Sequence, residues 1–204
     1  MLTLRKATLL RRFRRAQKGL AAVEFALILP VLIAMLFGMG ELSLAIFART
    51  DITQISSTVA DLVAQSAAPT SADLSNVYNA ANTIMYPYYT GSTTPGDPGG
   101  QKPTIRITSV NFDTTTNSTT VGKVAWSCTQ AGSGTLSPGT RSNGSTMTFS
   151  QPLLSPGGSV LMVEVAYNYR SPTTQVVLGS YNFKDQFYTK PRRVGQLPAP
   201  SSCP

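Results

Sequence analysis

The chain has 204 residues, enough for one domain of ordinary size plus an anchor, with no histidine and only two cysteines. Without histidine the usual general base, the usual zinc ligand and any Ser-His-Asp or Cys-His arrangement are gone, so no metal, no cofactor and no enzyme is implied. The formal charge of +8 points to nucleic acid only until it is located: Arg5, Lys6, Arg11, Arg12, Arg14, Arg15 and Lys18 all precede the first acid, while from Leu20 onward ten Lys/Arg face nine Asp/Glu. A body so close to neutral discounts nucleic acid as a partner, and the basic cluster reads instead as a topology signal beside an apolar segment.

That segment is Leu20–Gly40, almost wholly apolar, with Glu24 as its one charge. As a helix it would span about 31 Å, close to the ~30 Å hydrocarbon core of a bilayer. Seven cations before it and no positive excess after it (Glu41, Arg49, Asp51) place the N-terminus in the cytoplasm and the rest outside. Pro30 removes a backbone donor in mid-segment, so a kink or loosening is expected near Ala26–Pro30. A carboxylate inside such a span costs on the order of 2.5–3.5 kcal/mol on insertion scales, which makes Glu24 a candidate functional residue. Two plainer readings stay open. One is an unprocessed single-pass anchor, which gives Glu24 no role. The other is a cleaved secretory signal ending at Ser43-Leu44-Ala45, although the apolar run exceeds the ~7–15 residues usual for one.

The string Lys18-Gly19-Leu20-Ala21-Ala22-Val23-Glu24-Phe25 resembles the cleavage and assembly motif of type IV prepilins: a basic leader, a glycine, then an apolar helix with glutamate at its fifth mature position. Extended to Pro30, it is similar to the TadE/TadG-like pseudopilins of the tight-adherence (Tad, or Flp) pilus system. The resemblance implies cleavage by a prepilin peptidase between Gly19 and Leu20. It also gives Glu24, followed by Phe25, a role in subunit assembly through the new amino terminus of a neighbouring Leu20. A buried ion pair of that kind sets register more dependably than it adds stability. Leu20 stands where many type IV pilins have phenylalanine, and Phe25 where Flp-type major pilins have tyrosine. Those major pilins are also much smaller than residues 20–204, so the resemblance implies a minor pilin or pseudopilin. Its implied partners are the membrane, the peptidase, other Tad pilins and the inner-membrane assembly platform. The implied location is the bacterial inner membrane, with the C-terminal domain periplasmic or carried into an extracellular pilus.

Beyond Glu41 the pattern turns amphipathic through residue 67. Leu42, Ala45, Ile46, Ile52, Ile55, Val59, Leu62 and Val63 recur at spacings of three and four. The run Thr50–Thr58 is rich in Ser, Thr and β-branched residues and a poor intrinsic helix former, so packing of the stripe must hold it. Packing within the chain is the plainer account of that stripe; contact with neighbouring subunits is the other.

Residues 68–190 read as an outer α+β domain. Pro69 stops the long helix, and Thr70-Ser71-Ala72-Asp73 reads as a capping box opening a second helix to Met85, with Leu74, Val77, Tyr78, Ala81 and Ile84 on its apolar face. Tyr86-Pro87-Tyr88-Tyr89 follows as a packing cluster or, less simply, a binding patch. After a Gly/Pro-rich loop, Gly91–Pro103, the period changes to two. Strands are expected at Thr104–Asp113, Val121–Thr129 (a hairpin partner with Trp126 and Cys128 on one face), Thr146–Ser150, Ser159–Tyr169 and Asn182–Tyr188. Thr114–Thr120 reads as a turn, Ala131–Ser145 as a flexible stretch, Leu153–Gly158 as a turn and Pro191–Pro204 as a flexible tail. Cys128 and Cys203 are open to one disulfide in an oxidising compartment, or to two separate thiols. Asp73-Leu74-Ser75-Asn76-Val77 begins like a von Willebrand-type metal site, but Val77 breaks it.

The expected architecture is α+β: a long N-terminal helix, a second helix and a small antiparallel sheet, an arrangement the resemblance also implies.

Overall fold

The computed structural model describes residues 19–88, 101–112, 120–149, 157–170 and 179–204. The basic leader, most of the Gly91–Pro103 loop, the turn after Asp113 and most of the Leu153–Gly158 turn lie outside the described residues. The chain divides into two compact units, one ending at Ser43 and the other running Leu44–Pro204. Helix α1 spans Leu20–Ala64 and helix α2 spans Ser71–Ile84; strands β1 (Thr104–Asn111), β2 (Val121–Gln130), β3 (Thr146–Thr148), β4 (Ser159–Arg170) and β5 (Ser180–Thr189) follow. They form an antiparallel sheet in the order β3-β2-β1-β4-β5. The fold is α+β.

In the second unit α1 buries Ala45, Ala48, Ile52, Ile55, Val59 and Val63, which repeat every three or four residues. Leu42, Ile46 and Leu62, expected on the same stripe, are exposed. At about 3.6 residues per turn, positions 42, 46 and 62 fall to the sides of the buried line that runs from Ala45 to Val63. On the outer face the hydroxyls of Thr50, Thr53 and Ser57 bond carbonyls four residues back, at Ile46, Arg49 and Thr53. Those bonds satisfy poor helix formers locally, while the apolar stripe holds the helix.

Helix α2 starts with the expected capping box. Thr70 Oγ1 accepts from the Asp73 N–H at 3.2 Å, and the Asp73 carboxylate accepts from the Thr70 N–H at 3.0 Å. Its buried Leu74, Tyr78 and Ala81, with Met85, join α1 over one sheet face made by Ile105, Ile107, Trp126, Cys128, Leu161, Val163, Val165, Tyr167 and Tyr169.

The second face of the sheet corrects the expected alternation. Strand β4 reads as one face in and one face out, yet Met162, Glu164 and Ala166 are as buried as their neighbours. The reason is residues 131–145, expected to be flexible, which lie across that face. Thr104 Oγ1 donates to Gly134 O at 2.6 Å, the Asn168 N–H donates to Ser133 Oγ at 3.2 Å, and Arg106 Nη1 donates to the carbonyls of Pro138 and Gly139. Gly134 is required here, since a Cβ would fall 2.0 Å from the Ala166 carbonyl carbon. Past the β-bulge between Ser109 and Val110, the same face carries a second small core of Val110, Phe112, Phe149 and Val160.

Residues 191–204, expected as a flexible tail, are held against the unit at several points. The Arg192 N–H donates to Ala64 O at 2.9 Å, occupying an orphan carbonyl at the end of α1. Gly195 O accepts from the Ser159 N–H and Oγ, Leu197 is buried and its carbonyl accepts from Trp126 Nε1 at 3.1 Å, and Cys203 is disulfide-bonded to Cys128. A single buried leucine in a Pro/Ser-rich run gives little sequence signal, which is why the tail read as loose.

Candidate cleavage and assembly segment

Gly19 sits immediately before α1, and Leu20 is the first helical residue. A Cβ on Gly19 would meet nothing within 4 Å, so no packing among the described residues requires glycine at that position. From Leu20 to Gly40 the helix buries nothing: Leu20 is 60% exposed, Phe25 58% and Leu27 71%. Exposure of this kind over so many large apolar side chains is far beyond the scattered apolar surface of a soluble domain. Its most apolar window has a mean hydropathy of 2.6, and the helix is long and apolar enough to cross a membrane.

Glu24 lies four residues beyond Leu20, on the same helix face, and the first turn holds no acid. Among the described residues it has no ion-pair partner. Its carboxylate is therefore available, within an apolar surface, to a group from outside the described chain. Pro30 falls inside the helix without ending it, the helical assignment running unbroken through Ala26–Pro30.

The charged groups of the outer unit do different work. Arg106, fully buried, donates through Nε to Glu164 at 2.8 Å, and Arg141 grips both Glu164 oxygens at 2.8 Å each. Burial pushes the Glu164 carboxyl up, but the hydrogen bonds and charges of Arg141 and Arg106 outweigh it and hold the group below its ordinary range. This network pins residues 131–145 to the sheet. Reading the sequence alone misses it, because Arg106 faces Glu164 only through the β1–β4 register; an arginine between two isoleucines, Ile105 and Ile107, was the one available hint. Cys128 and Cys203, with Cα atoms 5.3 Å apart, form their disulfide at the opposite sheet face.

Residues 19–61 match the family model described as TadE-like protein. The chain carries a TadE-like segment. The match begins on Gly19 and ends three residues before α1 does, so the TadE-like part is in structural terms one helix with the glycine ahead of it. It includes Glu24, Phe25 and Pro30, and excludes α2 and the sheet. No curated protein and no solved structure matches the chain.

Proposed function

We propose that the protein is a minor pilin or pseudopilin of a Tad (Flp) pilus, cut by a prepilin peptidase between Gly19 and Leu20. The observation that carries the reading is that the TadE-like match opens on Gly19, a glycine that no packing among the described residues requires, at the head of an exposed apolar helix with one carboxylate. Such a glycine is well suited to a step performed by another protein, where an absent side chain lets the scissile backbone enter an active site. Cleavage removes the seven leader cations after they have set topology, and it frees an amine on Leu20.

Glu24 then has a counter-charge to meet. In a row of packed N-terminal helices its carboxylate pairs with the Leu20 amine of a neighbour, and the cost of an unpaired charge in hydrocarbon penalises any other stagger. The outer unit, Leu44–Pro204, is the part such a subunit would present outside the membrane.

Mass spectrometry of the membrane-extracted protein tests the cut. A chain beginning at Leu20 is expected, and an intact Met1–Gly19 leader in cells with an active peptidase would overturn the reading in favour of a permanent anchor. Glu24→Ala tests the assembly role separately. Membrane insertion and cleavage should persist while pilus assembly is lost, and normal pilus assembly by this variant would remove Glu24 from the mechanism.

A further inference from the structure

In the outer unit three described aromatic side chains are more than half exposed, and all three lie at one end: Phe47 at 61%, Tyr86 at 71% and Tyr181 at 58%. The end is fixed by contacts within that unit. The Tyr88 phenol donates to Leu44 O at 2.8 Å, which puts the end of α2, with Tyr86, beside the place where α1 enters the unit. Tyr88 stacks edge-on to Tyr169, Tyr169 meets Phe183, and Phe183 meets Tyr181 at a centroid distance of 4.9 Å. The hydrogen bond of Ser56 to Asp185 gives the level of β5 against α1. Tyr181, four strand residues before Asp185 at ~3.4 Å each, then lies level with about the ninth helical residue before Ser56, which is Phe47.

Among the described residues the exposed charge at this end is of one sign. Arg49, Lys102 and Arg170 are exposed here: Arg170 closes β4 opposite Ser180, and Lys102 lies beside Asn168 through Ser133. The single described acid of the outer unit at this level, Asp51, is partly buried. Exposed aromatic rings with cations among them, and no exposed acid among the described residues, match the composition of a membrane–water interface, where tyrosines sit at head-group level and Lys/Arg meet anionic lipid.

We propose that this end of the outer unit rests on the bilayer surface and binds anionic phospholipid head groups, with Phe47, Tyr86 and Tyr181 as interfacial anchors and Arg49, Lys102 and Arg170 as the head-group contacts. The inference rests on the reading that Leu20–Gly40 spans the membrane, and goes beyond it by giving the outer unit a lipid-facing side. A subunit seated this way waits at the membrane with its opposite end, where β3 and the Arg192–Asp61 pair lie, turned away from it.

The test uses the full chain in vesicles of phosphatidylcholine and phosphatidylglycerol, with the native disulfide closed so that an added cysteine is the reactive thiol. A polarity-sensitive dye is placed at Ser180→Cys, at Thr146→Cys on the far edge strand, or at Ile33→Cys in the apolar span. The dye at 33 should be quenched by lipids carrying a mid-chain quencher, that at 180 by lipids with a head-group quencher, and that at 146 only by aqueous iodide. Each of Arg49→Gln and Arg170→Gln should lower the bound-to-free ratio of this end about five-fold in the anionic vesicles. If 180 is as open to iodide as 146 while 33 is quenched, the surface proposal falls and the membrane reading stands. If 33 is not quenched, the membrane reading fails and the proposal with it. Shielding of 180 that grows with the protein-to-lipid ratio would mean a second copy covers this end, and would also overturn the proposal.

Discussion

Glu164 is held by Arg141 through both carboxylate oxygens and by Arg106 through one, with the Glu164 and Arg106 side chains 7% and 0% exposed, so the two guanidiniums together replace its water. Removing one member leaves desolvated charge, whereas replacing all three leaves an apolar cluster. Glu164→Gln should therefore cost about 3–5 kcal/mol of unfolding free energy, while Arg106→Met and Arg141→Leu with Glu164→Leu should recover much of that loss. The pH dependence follows from the same cluster. Because the folded Glu164 carboxyl lies below its ordinary range, its contribution is complete above the unfolded value of about 4.3 and is lost as pH falls through the folded one. Urea titrations of the full chain in detergent at descending pH should show that acid loss in the parent and a shallower one in Glu164→Gln. An equal slope in both would assign the acid sensitivity elsewhere. Glu24 is the contrasting case. It has no internal partner among the described residues, so its substitution should leave unfolding unchanged and be felt only in assembly.

The two helices and the longer strands are visible as periodicities, because the pattern records the apolar face of each that enters the main core. Thr70 and Asp73 are visible for the same kind of reason: a cap is a local structure with a local signature. Thr70→Ala should cost about 1 kcal/mol, measured by chemical denaturation, as a lost N-cap does. What the pattern misassigns are positions whose burial is decided by distant segments. Leu42, Ile46 and Leu62 look like stripe residues, yet at about 3.6 residues per turn they fall beside the buried line of Ala45, Ala48, Ile52, Ile55, Val59 and Val63. The distinction can be measured. Ile55→Ala, inside the core, should cost about 2–5 kcal/mol by the loss of packed volume, and Ile46→Ala should stay within about 0.5 kcal/mol as a surface change. If Ile46→Ala proved the costlier, the helix would be packed on its other side. The same limit explains the second sheet face. Met162, Glu164 and Ala166 are covered by residues 131–145, whose composition signals a loop and says nothing of where the loop lies.

At the scale of the whole chain, the TadE-like segment was legible because a basic leader, a glycine and an apolar run with one carboxylate are consecutive in sequence. The outer unit was legible only as a fold class, since its closure joins residues far apart. The C-terminal segment shows the difference most clearly. It bonds the end of α1 through Arg192, the start of β4 through Gly195 and Trp126 through the Leu197 carbonyl before reaching the disulfide. Cys128 and Cys203 are 75 residues apart, and on a chain-entropy account a crosslink of that length adds about 4 kcal/mol, an upper figure because the unfolded chain keeps some structure. The three non-covalent attachments mean the segment need not detach when the bridge is absent. Cys128→Ser with Cys203→Ser should then lower the urea midpoint and steepen the slope, because the unfolded chain without the crosslink exposes more surface. The sole tryptophan reports the segment directly, since Trp126 is 3% exposed and its indole N–H is held by Leu197. Its emission should stay blue in the double variant below the new midpoint and move red together with unfolding. An early red shift, before the helices melt, would show that the disulfide alone keeps the C-terminal segment on the sheet.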